Sequence, residues 1–376
     1  MLPDNTFLVI LVILFIFTTF TQLVYYLLFY LAVPAYKHPD NDEKGISVSV
    51  IICARNEAEN LKKFLPSVLE QKYPDYEVIV VNDCSEDNSD EILGVYKNRY
   101  PHLKISSVNK DPRFTHNKKF AQFIGIKAAR NDILLFTDAD CHPVSDKWIQ
   151  TITSHFDEST ELVLGYGGYS KRRGLLNKYI RYDTFAIALQ YLGMAVRGIP
   201  YMGVGRNLAY KRSLFFRKKG FGKFNHIMSG DDDLFVNTNS QRSNTKVEFR
   251  PESHVLSAPP PSLKSWFNQK KRHLSTAPYY KARDKILLIT EPVSRFLFYI
   301  SFILLLVLNN NIWQYVLIIF GLRLMVQVII FSLGQRKLNE SGILLFSVIF
   351  DIFSPVINGV IHTCNTFTRR GKHKWK

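Results

Sequence analysis

Two aspartates separated by one residue, Asp138 and Asp140, follow an apolar run that is typical of a buried strand. In an extended chain, residues i and i+2 point to the same side, so the two carboxylates should face together at the strand end. Carboxylate oxygens in an open arrangement suit Mg²⁺ or Mn²⁺ that is shared with phosphate oxygens. The pair therefore predicts a divalent-metal site for a phosphorylated ligand.

Further acidic residues could serve the same ligand. Asp83 ends a second apolar run, where a carboxylate can accept hydrogen bonds from a nucleobase or a ribose; capping of the next helix is the competing interpretation. Asp231, Asp232 and Asp233 are adjacent and precede a helical pattern. One acid is enough to cap a helix, and three repel one another, so we expect a cation, a hydroxyl or a basic neighbour beside them. One of the three could act as a general base.

A basic segment follows a proline-rich bend and precedes the C-terminal apolar stretches. It consists of Gln269, Lys270, Lys271, Arg272 and His273. These side chains could contact anionic lipid headgroups, or an arginine or lysine among them could bind a diphosphate. The residues alone leave both interpretations open.

The elements that must position these residues alternate between strand-like and helix-like patterns from residue 46 to about residue 250. The predicted strands are residues 46–53, 76–81, 103–108 and 132–137, and the predicted helices are residues 57–70 and 120–130, with another from about residue 89. Short apolar strands separated by helices indicate βαβ units and a mainly parallel sheet. Ligands bind at the carboxyl ends of such strands, where the acidic residues fall.

The composition narrows the class of protein. The 376 residues are 47% hydrophobic and 21% charged, which excludes global disorder. The net charge of +16 suits a nucleic acid, an anionic membrane surface or a phosphorylated substrate. The sequence contains no P-loop, HExxH or GxSxG motif, and its four cysteines match no zinc or disulfide pattern. We therefore expect free thiols, and the motifs give no support to a P-loop nucleotidase, a zinc protease or an α/β-hydrolase.

An apolar segment near the N-terminus can span a bilayer. Residues 7–33 carry no charge, and a span needs about 20 apolar helical residues. Lys37 and Lys44 follow this segment, which predicts an N-terminus outside the cell and a cytoplasmic middle of the chain. A signal peptide fits less well because the apolar run is long and the charge before it is Asp4.

The C-terminal third contains three more apolar stretches, residues 293–308, 312–333 and 343–367. The last carries polar groups that are costly facing lipid, and the basic tail at residues 369–376 is expected to be cytoplasmic. A re-entrant or interfacial last segment is therefore favoured over a third C-terminal span. The predicted organisation is a membrane helix in residues 1–36, a cytoplasmic α/β domain in residues 37–285 and a membrane region in residues 286–376.

One amphipathic pattern has two interpretations. Apolar residues between Tyr182 and Val196 recur at helical spacing. They fit a core helix, or a helix on the membrane surface that would let a lipid-linked acceptor approach.

These motifs, in this order, resemble the membrane-bound family-2 glycosyltransferases, which invert the configuration of the transferred sugar. The resemblance covers about residues 47–276 and the flanking apolar segments. Its motifs are Ala-Arg-Asn-Glu at 54–57, Val-Asn-Asp at 81–83, Asp-Ala-Asp at 138–140, Gly-Asp-Asp at 230–232 and Gln-Lys-Lys-Arg-His at 269–273. The last is similar to the family's Gln-x-x-Arg-Trp. The implied fold is a GT-A nucleotide-diphospho-sugar transferase domain, α/β with a Rossmann-like, mainly parallel sheet, flanked by transmembrane helices.

The resemblance also implies residue roles. Asp232 would be the catalytic base, and Asp140 would bind Mg²⁺ or Mn²⁺. The donor, expected to be a UDP-sugar, would contact Asn56, Glu57, Asp83, Lys118, Asp138, Gln269 and Arg272. Lys119 is the alternative to Lys118. The segment at residues 203–207 resembles the family's glycine-rich acceptor-side loop, although an ordinary turn explains it equally, so Arg206 receives no assigned role.

The expected activity is inverting, metal-dependent transfer from a nucleotide sugar to a lipid-linked or glycan acceptor. It would occur at the cytoplasmic face of the inner membrane, in contact with membrane lipids and without nucleic acid. A carboxylate would take the acceptor proton, and a metal with basic side chains would stabilise the departing diphosphate. The alternatives are a processive polysaccharide synthase, disfavoured by His273 in place of Trp, and a non-catalytic nucleotide-sugar-binding subunit of an envelope assembly complex.

Overall fold

The computed structural model describes residues 4–39, 45–110, 117–227, 229–308 and 311–367. Lys44 and the predicted basic tail lie outside these described residues. Within them, the strands are β1 (Val48–Ala54), β2 (Tyr76–Asp83), β3 (Leu103–Val108), β4 (Ile133–Asp138), β5 (Cys141–Pro143), β6 (Leu162–Gly165), β7 (Gly167–Tyr169), β8 (Leu208–Lys211), β9 (Thr245–Glu248) and β10 (Val255–Ser257). The helices are α1 (Asp4–Val24), α2 (Ala32–Ala35), α3 (Ala58–Leu69), α4 (Ser89–Arg99), α5 (Lys118–Ala128), α6 (Trp148–Thr153), α7 (Leu175–Val196), α8 (Arg212–Arg217), α9 (Asp233–Asn239), α10 (Leu263–Leu274), α11 (Ala282–Leu308), α12 (Trp313–Lys337) and α13 (Leu344–Phe367).

The main sheet of the described chain has seven strands in the order β3-β2-β1-β4-β8-β6-β9. Strands β3, β2, β1 and β4 are parallel, β8 is antiparallel to both neighbours, and β9 is parallel to β6. Apolar side chains alternate between two cores: Ile51 and Ile79 belong to one, and Val50 and Val80 to the other. The predicted α/β fold is confirmed. Each strand or helix that was predicted with both a first and a last residue begins and ends within two residues of the observed element.

A small second sheet, in the order β5-β10-β7, adjoins the end of β4. Strand β10 pairs with β5 and with β7, so that Ser257 is opposite Cys141 on one side and Tyr169 on the other. Because β5 begins directly after Asp140, this pairing places Ser257 and Tyr169 near the Asp138–Asp140 turn.

Helix α7 is buried between the sheet and the membrane helices. Phe185 and Leu189 are fully buried. The Phe185 ring packs edge-on against Phe331 of α12 with centroids 5.5 Å apart, and Leu189 lies against Gly334 of the same helix. Of the two interpretations left open by the sequence, the core helix is the observed one. The core that it joins is shared with α12, one of the long apolar helices.

Four helical segments are long and apolar enough to cross a membrane: Thr6–Ala35, Ala282–Leu308, Trp313–Lys337 and Leu344–Asn365. In the first, a π-helical segment, Tyr25–Tyr30, precedes α2. Helix α11 begins at Ala282, upstream of the apolar stretch at residues 293–308, and the predicted boundary at residues 285–286 falls inside this helix. Glu291 and Arg295 lie within the helix, where they are buried and paired with each other at 3.1 Å.

The polar groups of these helices meet in one buried cluster. Asp351 of α13 accepts hydrogen bonds from Arg295 of α11 and from Arg323 of α12, each at 2.8 Å. Arg323 also donates to Gln22 of α1 at 3.0 Å. A charged side chain is tolerated at membrane depth when it is paired inside a bundle. The cluster therefore ties all four segments together.

Both ends of α13 contact the α/β domain. Near its start, Nζ of Lys178 in α7 lies 3.9 Å from the centroid of the Phe346 ring. Near its end, Asn365 donates to the carbonyl of Lys271 in α10 at 2.7 Å. The segment is one continuous helix of 24 residues, without the chain reversal of a re-entrant loop.

Candidate active site

The predicted pair of carboxylates converges at the end of β4. Asp138 is the last residue of this buried strand, and Asp140 follows in a turn. One ligand atom each of Asp138, Asp140 and Cys141 lie within 4.8 Å of one another. The convergence agrees with the prediction, although a turn, and not the alternation of an extended strand, brings the two carboxylates together.

The two carboxylates have different electrostatic surroundings. Desolvation disfavours the ionised form of Asp138, but Lys118 Nζ lies 2.7 Å from its Oδ1 and holds its pKa below the usual value. Desolvation and the charge of Asp138 raise the pKa of Asp140, which has no ion pair among the described residues. A divalent cation would supply the positive charge that Asp140 lacks, so the pair fits a metal site.

Lys118 is the basic residue nearest the acids. It lies in the first turn of α5, and its Nζ is also 3.3 Å from Asp231 Oδ2. Desolvation opposes its charge, but the surrounding carboxylates hold the pKa of Lys118 well above its usual range. Lys119 points the other way, and its Nζ donates to two backbone carbonyls at 2.7 Å. Of the two candidate lysines, the structure therefore places Lys118 in the site.

Asp232 is half-buried at the start of α9 and lines the same cleft. Its Oδ1 accepts from the backbone N–H of Asp233 at 2.8 Å, and its Oδ2 accepts from that of Gly205 at 2.7 Å. Desolvation, followed by the charges of Asp231 and Asp233, raises the pKa of Asp232 to about 7. A carboxylate with a pKa near neutrality is suited to accept a proton in a general-base step.

The two acids beside Asp232 have separate partners. Asp231 pairs with Lys118, and Asp233 accepts hydrogen bonds from the hydroxyls of Thr276 and Tyr280. The expectation that three adjacent acids need a cation and hydroxyls is therefore met. Asp233 also fixes the segment between α10 and α11, which leads into the membrane region.

Arg206 is a cleft residue to which the sequence assigned no role. Its guanidinium lies over the Tyr169 ring, 4.5 Å from the centroid, and Nη1 donates to Ser257 Oγ at 3.0 Å. A Cβ at Gly167 would be 2.6 Å from the Arg206 side chain, so glycine is required for this approach. The glycine-rich segment at residues 203–207 is the available sequence signal for Arg206. Tyr169 and Ser257 have none, because only the second sheet brings them there.

Helix α10 brings the basic segment over the cleft. Gln269 Oε1 accepts from the Tyr169 hydroxyl at 3.0 Å, and Arg272 lines the cleft. Lys270 is buried and pairs with Asp183 of α7 at 2.5 Å, which fixes α10 to the domain. The segment thus combines residues that face the cleft with one that holds the helix in place.

The remaining predicted donor residues belong to the loops after β1 and β2. Glu57 lines the cleft, but Asn56 does not appear among the described lining residues. Asn56 has a left-handed backbone, φ 54°, and its Oδ1 accepts from the backbone N–H of Glu86 at 2.8 Å. Its geometry suits the bracing of the two loops more than direct donor contact. Asp83 is fully buried at the end of β2, and its contact with a nucleoside stays a prediction.

The cleft that these residues line has a volume of about 1790 Å³. Its lining includes the acids Asp138, Asp140 and Asp232 and the cations Arg206 and Arg272. This arrangement offers a metal ligand pair, a proton acceptor and cations for an anionic leaving group on one surface.

Comparison with known proteins shows similarity to glycosyltransferases. Residues 49–216 match the family model described as Glycosyl transferase family 2. Glycosyltransferase AglE of Haloferax volcanii is 31% identical over 192 residues, which are 49% of this chain and 58% of that protein. Probable glycosyltransferase YdaM of Bacillus subtilis is 24% identical over 259 residues, 66% of this chain and 59% of that protein. The chain thus matches about three fifths of the length of these curated relatives.

A solved structure shares the fold over most of the chain. Mannosyltransferase PcManGT from Pyrobaculum calidifontis, in complex with GDP-Man and Mn²⁺, superposes with a TM-score of 0.58 at 17% identity. The match covers 92% of this chain and 99% of that one. The predicted GT-A-like α/β fold, with four apolar helices long enough to span a membrane, is confirmed. The match over residues 49–216 confirms the predicted resemblance to the family-2 glycosyltransferases.

Proposed function

We propose that this chain transfers a sugar from a nucleotide-sugar donor to a lipid-linked or glycan acceptor, with inversion and with a divalent metal. The observation that carries the proposal is the position of Asp232, whose pKa is about 7, on the same cleft as Asp138 and Asp140. A single-displacement transfer needs one base and a charge-stabilised leaving group, and no protein nucleophile.

Each group has a defined task in this mechanism. Asp232 accepts the proton of the acceptor hydroxyl, and the N–H groups of Gly205 and Asp233 hold its two oxygens in place. Asp140 and Asp138 would hold Mg²⁺ or Mn²⁺, which when bound stabilises the negative charge of the departing diphosphate. Arg272 contributes positive charge from above the cleft.

The donor is proposed to be a nucleotide diphospho-sugar. The sequence motifs favour a UDP-sugar, whereas the mannosyltransferase of similar fold is described with GDP-Man and Mn²⁺. Glu57, in the loop after β1, lines the cleft, and the resemblance implies that it contacts the donor.

The proposed location is the inner membrane, with the catalytic domain in the cytoplasm. In this arrangement residues 6–35, α11 and α12 span the bilayer, while α13 keeps both of its ends at the catalytic domain and packs against the spanning helices through Asp351. The contacts of Phe346 and Asn365 with the same domain support an interfacial α13, because a span would carry one end away from that domain. Protease access to a C-terminal tag in sealed vesicles tests this topology.

The activity is tested by nucleoside diphosphate release in membranes supplied with UDP- and GDP-sugars, with and without Mn²⁺. Asp140→Ala and Asp232→Asn should each abolish release, while Asp157→Asn, a change of an exposed acid, should not. Metal-dependent release from one donor identifies the sugar. Absence of both release and nucleotide binding across the panel would contradict the proposal.

A further inference from the structure

The cleft does not end at the catalytic acids. It continues past Trp266, Tyr280 and Leu288 beneath α10 and reaches the helices of the membrane region. There it runs between α11 and α13, and we call this part the lateral groove. A single continuous cavity therefore connects Asp232 with the surface that the membrane helices present.

The walls of the lateral groove are apolar and exposed. Val293 and Phe296 of α11 are 48% and 44% exposed, and Val356 and Val360 of α13 are 46% and 53% exposed. Side chains of this kind provide no hydrogen bonds, so a sugar chain placed between them would lose its bonds to water without replacement. Hydrocarbon is the chemistry that such walls fit.

The inner side of the lateral groove is polar. Arg295 is 8% exposed, and although it binds two carboxylates, its Nε has no hydrogen-bond partner among the described residues. Asn358 Oδ1 is likewise buried without a partner in the described chain. Both residues belong to the cavity lining, so the lateral groove carries polar side chains beside its apolar walls.

We propose that the lateral groove holds the hydrocarbon chain of a lipid-linked acceptor. The lipid enters sideways from the bilayer between α11 and α13, and its polar head reaches Asp232 beneath α10. This inference rests on the proposed transferase activity. Of the two proposed acceptor classes, it selects the lipid-linked acceptor. The continuity of the cavity and the apolar exposed walls favour the lipid over a water-soluble glycan.

A glycine provides the sharpest test. Gly359 lines the groove, and a Cβ at this position would meet no atom within 4 Å. Gly359→Phe therefore adds a ring to the groove without a backbone clash, and it replaces a poor helix former. The matched control is Gly321→Phe in α12, where a Cβ also meets no atom within 4 Å and the residue lies outside the described cavity lining.

The assay uses the donor that the nucleoside diphosphate release experiment identifies. Two acceptor preparations are compared: vesicles made from the total lipid extract of the source cells, and the water-soluble glycan fraction of the same cells. Gly359→Phe should lower transfer to extractable lipid about tenfold, through KM for the vesicles. Binding of the nucleoside diphosphate should be unchanged. Gly321→Phe should match the wild type in both measurements.

A cross-linking experiment provides a direct readout. Benzoylphenylalanine in place of Val356 should capture the radiolabelled sugar–lipid product on irradiation, whereas the same group in place of Ile318, an exposed residue of α12, should not. Equal lipid transfer by Gly359→Phe and wild type, or transfer only to soluble glycan, would overturn the groove proposal while leaving the transferase intact. Failure of the wild type to bind or turn over any donor would instead remove the proposed function, and the groove's acceptor role with it.

Discussion

Replacing Asp232 with Asn should abolish transfer and yet stabilise the protein increasingly as the pH rises. Desolvation and the charges of Asp231 and Asp233 raise the pKa of Asp232 from 3.8 to about 7. A carboxyl group with a raised folded-state pKa contributes stability that is fully present below pH 3.8 and is lost as the pH rises through 7. The ionised form therefore costs stability at neutral and alkaline pH, and Asn removes that cost.

The magnitude follows from the two pKa values. Between pH 5 and pH 8, the unfolding free energy of the variant relative to the wild type should increase by about 2–3 kcal/mol. Asn cannot accept from both Gly205 and Asp233, and this lost hydrogen bond costs about 1 kcal/mol at every pH. The test is therefore the slope of the difference with pH, and not its value at one pH.

Urea titrations of the purified protein in detergent at several pH values measure this slope. Asp157→Asn is the control: desolvation acts against its charge, but hydrogen bonds from Ser159 and Thr160 hold the pKa of Asp157 at about 2. Its effect on stability should be constant from pH 5 to pH 8, because both of its pKa values lie below that range. If the difference in unfolding free energy between Asp232→Asn and the wild type also did not change with pH, the raised pKa of Asp232 would be refuted.

The wild-type rate should agree with the same value. Because Asp232 acts as base only when ionised, log kcat/KM should rise with a slope of one below about pH 7 and level off above it. Loss of the base should reduce the rate by about 10²–10⁴-fold. A pH-independent rate over this range would contradict its assignment as the base.

Three further changes test the surroundings of the site. Asp140→Ala should weaken Mn²⁺ binding, measured by electron paramagnetic resonance, by about tenfold or more, since it removes a metal ligand; unchanged binding would exclude Asp140 as that ligand. Arg206→Lys keeps the charge but loses the planar stacking on Tyr169, so donor affinity measured by calorimetry should fall by about tenfold; an unaltered affinity would place Arg206 outside donor binding. Lys270→Met leaves Asp183 buried without its cation and should lower the unfolding free energy by about 3–5 kcal/mol, and adding Asp183→Asn should recover part of it. A single variant as stable as the wild type would contradict the bracing role.

Much of the site could be predicted because its acids follow local strand patterns. The apolar run before Asp138 identifies a buried strand, and in a parallel sheet its end must lie beside the ends of its neighbours. The sequence left two candidate lysines, Lys118 and Lys119. Which of them faces the site depends on the rotation of α5 about its axis, and tertiary packing determines that rotation.

Other features depend on contacts between distant segments. Tyr169 and Ser257 reach Arg206 through the pairing of two three-residue strands, which are too short to give a periodic signal. Glu291 and Arg295 of α11 find charged partners inside the helix bundle. Hydropathy treats these residues as the boundary of a span because it does not include their pairing.

The burial of α7 also determines the order in which the protein can mature. During synthesis α7 leaves the ribosome long before α12, yet Phe185 and Leu189 pack against Phe331 and Gly334 of that later helix. Until α12 has packed against it, the nascent domain must hold this apolar face without its final partner, which is the condition that favours aggregation and chaperone binding. Completion of the core around α7 therefore has to wait until α12 has been synthesised and has packed against it.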